Sequence, residues 1–160
     1  MFRNVDDFQQ SWKSECNSTL RIFGALSDKS LEQSVRPDGY TLGWLARHIT
    51  GAAAGLPAHA GLLPTPTGAP AMTTVAEIIA AYEHNVKLVA DAVTEKWSDA
   101  QLGEEIPMFG RKFRRGAALA FLISHQAHHR AQMTVLMHQA GLKVPGVYGP
   151  SEDDKAAAKQ

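Results

Sequence analysis

Apolar residues recur along this chain at steps of three and four in four long stretches, and nowhere in the alternation that marks a strand. The first stretch, from about Asn4 to Leu26, puts Val5, Phe8, Trp12, Cys16, Thr19, Ile22 and Phe23 on one helical stripe. After a polar turn over Ser27 to Gly39, Thr41 has the character of an N-cap. A second helix is predicted behind it, from about Leu42 to Leu63, with Leu42, Leu45, Ile49 and Leu56 inward and Pro57 bending or ending its regular part. The third, about Val75 to Trp97, turns Ile78, Tyr82, Val89 and Val93 to the core. A loop over Ser98 to Gly110 leads to the fourth, apolar from Ala117 to Ala140 and closed by Gly141 as a C-cap. Four amphipathic helices and no strand pattern predict an all-α four-helix bundle, a single domain over residues 1–150. Residues 151–160 read as a frayed polar tail.

The link between the second and third helices refines the topology. Pro64 to Thr73 reads PTPTGAPAMT. Extended at about 3.1 Å per residue, such a segment spans roughly 30 Å, the length of a twenty-residue helix. The third helix can then start at the end where the second began, so that the two run parallel and the bundle is up-down-down-up.

Charge and composition remove several functions from consideration. Sixteen basic residues balance sixteen acidic ones, so no global charge draws the chain to nucleic acid or to an anionic membrane. No apolar run is long enough to cross a bilayer, and Met1-Phe-Arg-Asn-Val-Asp-Asp lacks the apolar centre of a signal peptide. The one cysteine, Cys16, fits a reducing compartment and reads as a small buried hydrophobe. A cytoplasmic protein is expected.

Against this background the fourth helix is chemically conspicuous. His125-Gln-Ala-His128-His129-Arg130-Ala-Gln132 places three histidines within five residues of an otherwise apolar segment. His125 and His129 project from one face, one turn apart, on the stripe of Leu122 and Leu136. Imidazoles on a core-facing stripe need partners, either hydrogen bonds or a shared divalent ion, and the i, i+4 spacing suits two ligands on one ion. A third ligand must come from another helix. His138 faces away, His84 points outward, and His128 is about 100° round from His129. His59 lies about 16 Å from His48 along the second helix. His48 remains, at the edge of the inner stripe with Gly51, Ala52, Ala53, Ala54 and Gly55 around and after it, small residues that fit either a cavity or tight packing. Arg111, Lys112, Arg114 and Arg115, four basic residues in five ahead of the fourth helix, read as a solvated turn or a dock for an anionic ligand.

These motifs resemble the DinB/YfiT-like proteins, four-helix bundles with one metal-binding histidine on helix 2 and an HxxxH pair on helix 4. Leu45-Ala-Arg-His48-Ile is similar to the helix 2 motif, and His125 to Gln132 is similar to HxxxHRGQ, with Ala131 where the family usually has Gly. The ending from Gly141 to Pro150, with its Tyr-Gly-Pro, resembles one branch of the family. The resemblance spans the whole chain and implies the parallel second and third helices already inferred. It implies a site of His48, His125 and His129 holding zinc or nickel, with at least one open coordination position. It implies a homodimer as well, for which exposed apolar residues near Phe109 and Tyr148 offer a surface. As to activity, it implies transfer of a low-molecular-weight thiol onto a small electrophile. The alternatives are hydrolysis through metal-activated hydroxide and a stress-related metal-binding protein without turnover. Basic residues Arg111 to Arg115 are candidates to hold an anionic cofactor tail, and Glu83 is a weak candidate general base. Arg130 and Gln132 read either as supports for the ligands or as helix-packing groups.

Overall fold

In the computed structural model, which describes residues 1–65, 68 and 71–159, four long helices form the bundle: α1 (Val5–Gly24), α2 (Leu42–His59), α3 (Val75–Lys96) and α4 (Arg115–Gln139). Their starts are set by caps. Asn4 accepts from the Asp7 amide and Thr41 from the Trp44 amide, while Thr74 and Glu77 form a capping box. At the other end of α4, Gly141 takes φ +70°, the left-handed conformation its C-cap position calls for. Helix α2 stops at His59, two residues beyond Pro57 and short of the expected Leu63.

Side chains report the helix directions. Trp12 Nε1 donates to the Val86 carbonyl and Gln9 Nε2 to that of Ala90, so α1 and α3 run antiparallel. Arg47 donates to the Met72 carbonyl just before α3, and Lys96 at the end of α3 donates to that of Leu62 just after α2. Helices α2 and α3 are therefore parallel. Phe2 N bonds Gly116 O at 3.1 Å and Thr19 bonds Gln126, which makes α1 and α4 parallel in turn. The topology is up-down-down-up. Residues 66, 67, 69 and 70, on which the extended proline-rich link was expected, lie outside the described residues. The core draws on all four helices, with Phe8, Trp12, Phe23, Leu45, Ile49, Tyr82 and Met133 among its buried members.

Two local expectations are corrected. Between α3 and α4 the chain forms a short antiparallel hairpin, β1 (Glu105–Met108) and β2 (Arg111–Arg114), where a loop was expected. Phe109 and Gly110 join the strands with φ +54° and +70°, as a two-residue type I′ turn requires. The second correction concerns the tail. Ser151 caps a short helix, α5 (Glu152–Ala157), and Asp153 and Asp154 accept from the amides of Val144 and Gly146. Carboxylates at the first turn of a helix meet both its dipole and the unpaired amides of the preceding loop, which is why this polar segment folds back and does not fray.

One polar network crosses the core. Arg130, 2% exposed, pairs with Glu15 at 2.7 Å and donates to the Glu15 carbonyl, Thr19 Oγ1 and Tyr148 Oη. Its guanidinium also lies 5.3 Å from the Tyr148 ring centre. Arg130→Ala strands a largely buried carboxylate, and is expected to cost about 3 kcal/mol or more in urea denaturation. Tyr148→Phe removes only a hydroxyl at the margin of the network and should cost about 1 kcal/mol in the same measurement.

Candidate metal centre

The face of α4 that carries Gln126 and Arg130 meets α1; one residue round, about 100° on, the next stripe meets α2. There the rings of His125 and His129 stand against His48, which α2 presents from the opposite direction. One ligand nitrogen from each of His48, His125 and His129 lies within 4.8 Å of the other two, so the three together can hold a metal ion. All three side chains are half-buried.

The distances favour ligands over a hydrogen-bonded pair. His48 Nε2 and His125 Nε2 are 3.3 Å apart, long for a hydrogen bond. Two nitrogens about 2.05 Å from one tetrahedral ion stand about 3.3 Å apart, so the spacing fits two ligands of a single zinc-sized centre. The third ring is oriented for the same purpose. His129 Nδ1 lies 2.7 Å from Gln132 Oε1, and an amide oxygen can only accept, so Nδ1 carries the proton and Nε2 keeps its lone pair. His48 is held by stacking. Trp44 lies parallel to it with ring centres 4.7 Å apart and Tyr40 stacks on Trp44 at 3.7 Å, each pair within 9° of coplanar.

Electrostatics favours the neutral form of His48 and His125. Burial, with His129, His48 and His128 adding repulsion, lowers the His125 pKa from its ordinary value to about 4. Burial and then His129 lower that of His48. At neutral pH both rings therefore offer lone pairs without first losing a proton.

The other sequence candidates fall outside the triad. His84 and His138 are exposed, as expected. His59 packs its ring against Phe109 at 4.9 Å, and exposed His128 lies 4.9 Å from the His129 ring. Glu83 is exposed on the face shared by α1 and α3. Cys16 is buried and its thiol is pushed up to about 12, chiefly by that burial, so it is inert. Gln132 supports a triad ring, while Arg130 turns to α1. Two of the four basic residues ahead of α4 are already paired, Lys112 with Glu105 at 3.3 Å and Arg115 with Glu104 at 3.1 Å. Trp44 lies one turn before His48, and its role emerges from Tyr40 arriving on its other face. Of the small residues after His48, Gly51 and Gly55 border open space, since an added Cβ would meet no atom within 4 Å, while Ala53 and Ala54 pack into the core. Ala131, where the resembled motif has Gly, is exposed.

Comparison with known proteins agrees with the helical fold. A family model described as the DinB family matches residues 1–160. The uncharacterized protein YrdA of Bacillus subtilis (strain 168) is 38% identical over 158 residues, covering 98% of this chain and 95% of its own. The crystal structure of a DinB-like protein from Bacillus cereus ATCC 10987 superposes with a TM-score of 0.86 at 38% identity, over 92% of this chain and 100% of that one. A DinB-like protein of Bacillus subtilis, YjoA, shares the fold at 17% identity and a TM-score of 0.70, over 90% of this chain and 98% of its own.

Two outcomes follow for the triad. Replacing His48, His125 or His129 with Ala should strip most metal from purified protein by elemental analysis, while His84→Ala and His138→Ala keep it; Gln132→Ala should weaken affinity about tenfold or more. The second concerns acid. Because the folded-state pKa of His125 lies below its unfolded value of about 6.5, the unfolded chain takes up a proton first as pH falls. Metal-free protein should therefore hold its full stability above about pH 6.5 and lose it progressively toward pH 4. Denaturation midpoints followed across that range should show a shallower decline in His125→Gln.

Proposed function

This chain belongs to the DinB family, and from that premise we propose that it holds one divalent metal ion through His48, His125 and His129 and transfers a small thiol onto a small electrophile. The observation that carries the reading is the donor set: three imidazoles converge, and the cluster includes no carboxylate among the described residues. Such a set leaves the full double charge of zinc or nickel uncompensated, and the bound ion supplies Lewis acidity that favours a thiolate over a thiol at neutral pH.

The chain's own residues supply position and timing. Gln132 fixes the tautomer of His129, and the Tyr40–Trp44 stack fixes the plane of His48, so two of the three rings are oriented before substrate arrives. In the transfer a sulfur–carbon bond forms as the bond to the leaving group breaks and that group departs with its electron pair. The thiol proton passes to solvent, and the exposed His128 ring beside His129 is placed to accept it on the way. Glu83, the one carboxylate considered for proton transfer, lies exposed on the face shared by α1 and α3 and not with the triad.

Turnover assays separate the possibilities. Protein loaded with zinc or nickel should consume 1-chloro-2,4-dinitrobenzene only when a small thiol is also present, and His125→Ala should abolish the metal-dependent rate. Turnover of 4-nitrophenyl acetate by metal-loaded protein without thiol would establish a hydrolase instead. Inertness toward both would leave a metal-binding protein without turnover.

A further inference from the structure

The turn between the first two long helices is pinned from several sides. Ser34 and Thr41 form an isolated antiparallel bridge, the Gly39 amide and the Ser34 hydroxyl both donate to the Arg36 carbonyl, and the Leu42 amide donates to that of Gln33. The turn is thus a fixed feature, and it overhangs a cavity of about 540 Å³ against the C-terminal half of α4. Leu45, Val135 and Leu136 give the cavity an apolar lining and Tyr40 an aromatic one. Gln132 stands between the cavity and the triad, lining the first and holding His129 of the second. At the rim lie Arg36 and Asp38, opposite charges two residues apart, and neither is ion-paired among the described residues.

We propose that this cavity is a binding site beside the triad, separated from it by Gln132, and takes a small amphipathic molecule with an amino-acid-type head, an ammonium beside a carboxylate on an apolar body. Its volume is that of an ordinary small-ligand site. Arg36 offers the carboxylate a planar fork of donors, and Asp38 accepts from the ammonium. A head of one sign only would meet repulsion from one of the two rim residues, whereas a zwitterion satisfies both. The apolar body leaves water against Val135, Leu136 and Leu45. Because Tyr40 lines the cavity and also ends the stack that orients His48, the side chain facing the ligand belongs to the column that reaches the metal ligand. As a binding site the cavity needs no metal.

The test uses S-benzyl-L-cysteine as the probe, titrated calorimetrically into the full chain, both zinc-loaded and after chelation. Saturable binding is expected in both forms, and about tenfold weaker binding for the methyl ester, which lacks the carboxylate charge, and for the N-acetyl derivative, which lacks the ammonium. Arg36→Ala should erase the difference between probe and ester, Asp38→Ala that between probe and N-acetyl form, and Val135→Trp should fill the cavity and abolish binding. All three variants should keep the zinc content of the parent protein and its melting temperature. No binding at millimolar probe, equal binding of the three compounds, or unchanged binding in the three variants would overturn the proposal. Probe binding by a protein that takes up no zinc would remove the metal reading and leave the pocket standing; zinc uptake without probe binding would do the reverse.

Discussion

Everything at the candidate centre depends on how α4 is rotated about its axis, and the buried Arg130 guanidinium sets that rotation. A charge this far from water is tolerated only with its donors filled, and the partners that fill them, Glu15 and Thr19, sit on α1. Gln126, one turn earlier, accepts from Thr19 and from Tyr82 of α3. These two side chains allow α4 little freedom to turn. His125 and His129 immediately precede them in sequence, so the same rotation that satisfies Arg130 aims both imidazoles at α2. Adjacent positions on one helix thus divide the work, one stripe securing the bundle and the next presenting ligands.

The helices and the triad were legible in sequence because both are written in the 3.6-residue period. Stripes such as Phe8, Trp12, Cys16 and Thr19 have no other economical burial, and His125 and His129 stand on such a stripe with only His48 able to face them. The parallel pairing of α2 and α3 was legible from length alone, as a long proline-rich link has reach that a tight turn lacks.

What escaped the sequence was set by contacts between distant positions. The hairpin was hidden because its strands are four residues each, β1 contains Pro107, and the turn uses Phe109 where Asn or Asp would have signalled a type I′ geometry. Phe109 holds its left-handed conformation while its ring packs on His59 and lies 6.3 Å from Phe121, a tertiary fit that no local propensity encodes. Arg130 and Gln132 could not be told apart by spacing, since their roles depend on which helix lies opposite each. The ordered tail depended likewise on loop amides at Val144 and Gly146 that sequence could not assign to Asp153 and Asp154.

The indole of Trp44, face to face with His48, gives the protein an internal optical probe of its own centre. The other two tryptophans, Trp12 and Trp97, are buried at 1% and 7% exposure, the first between α1 and α3 and the second under the Arg115 guanidinium. Were the triad to hold an open-shell ion such as nickel, that ion would lie within reach of the Trp44 excited state and could drain it, whereas closed-shell zinc would have no such route. The emission of a residue that is not among the candidate ligands would thereby report which ion the triad holds.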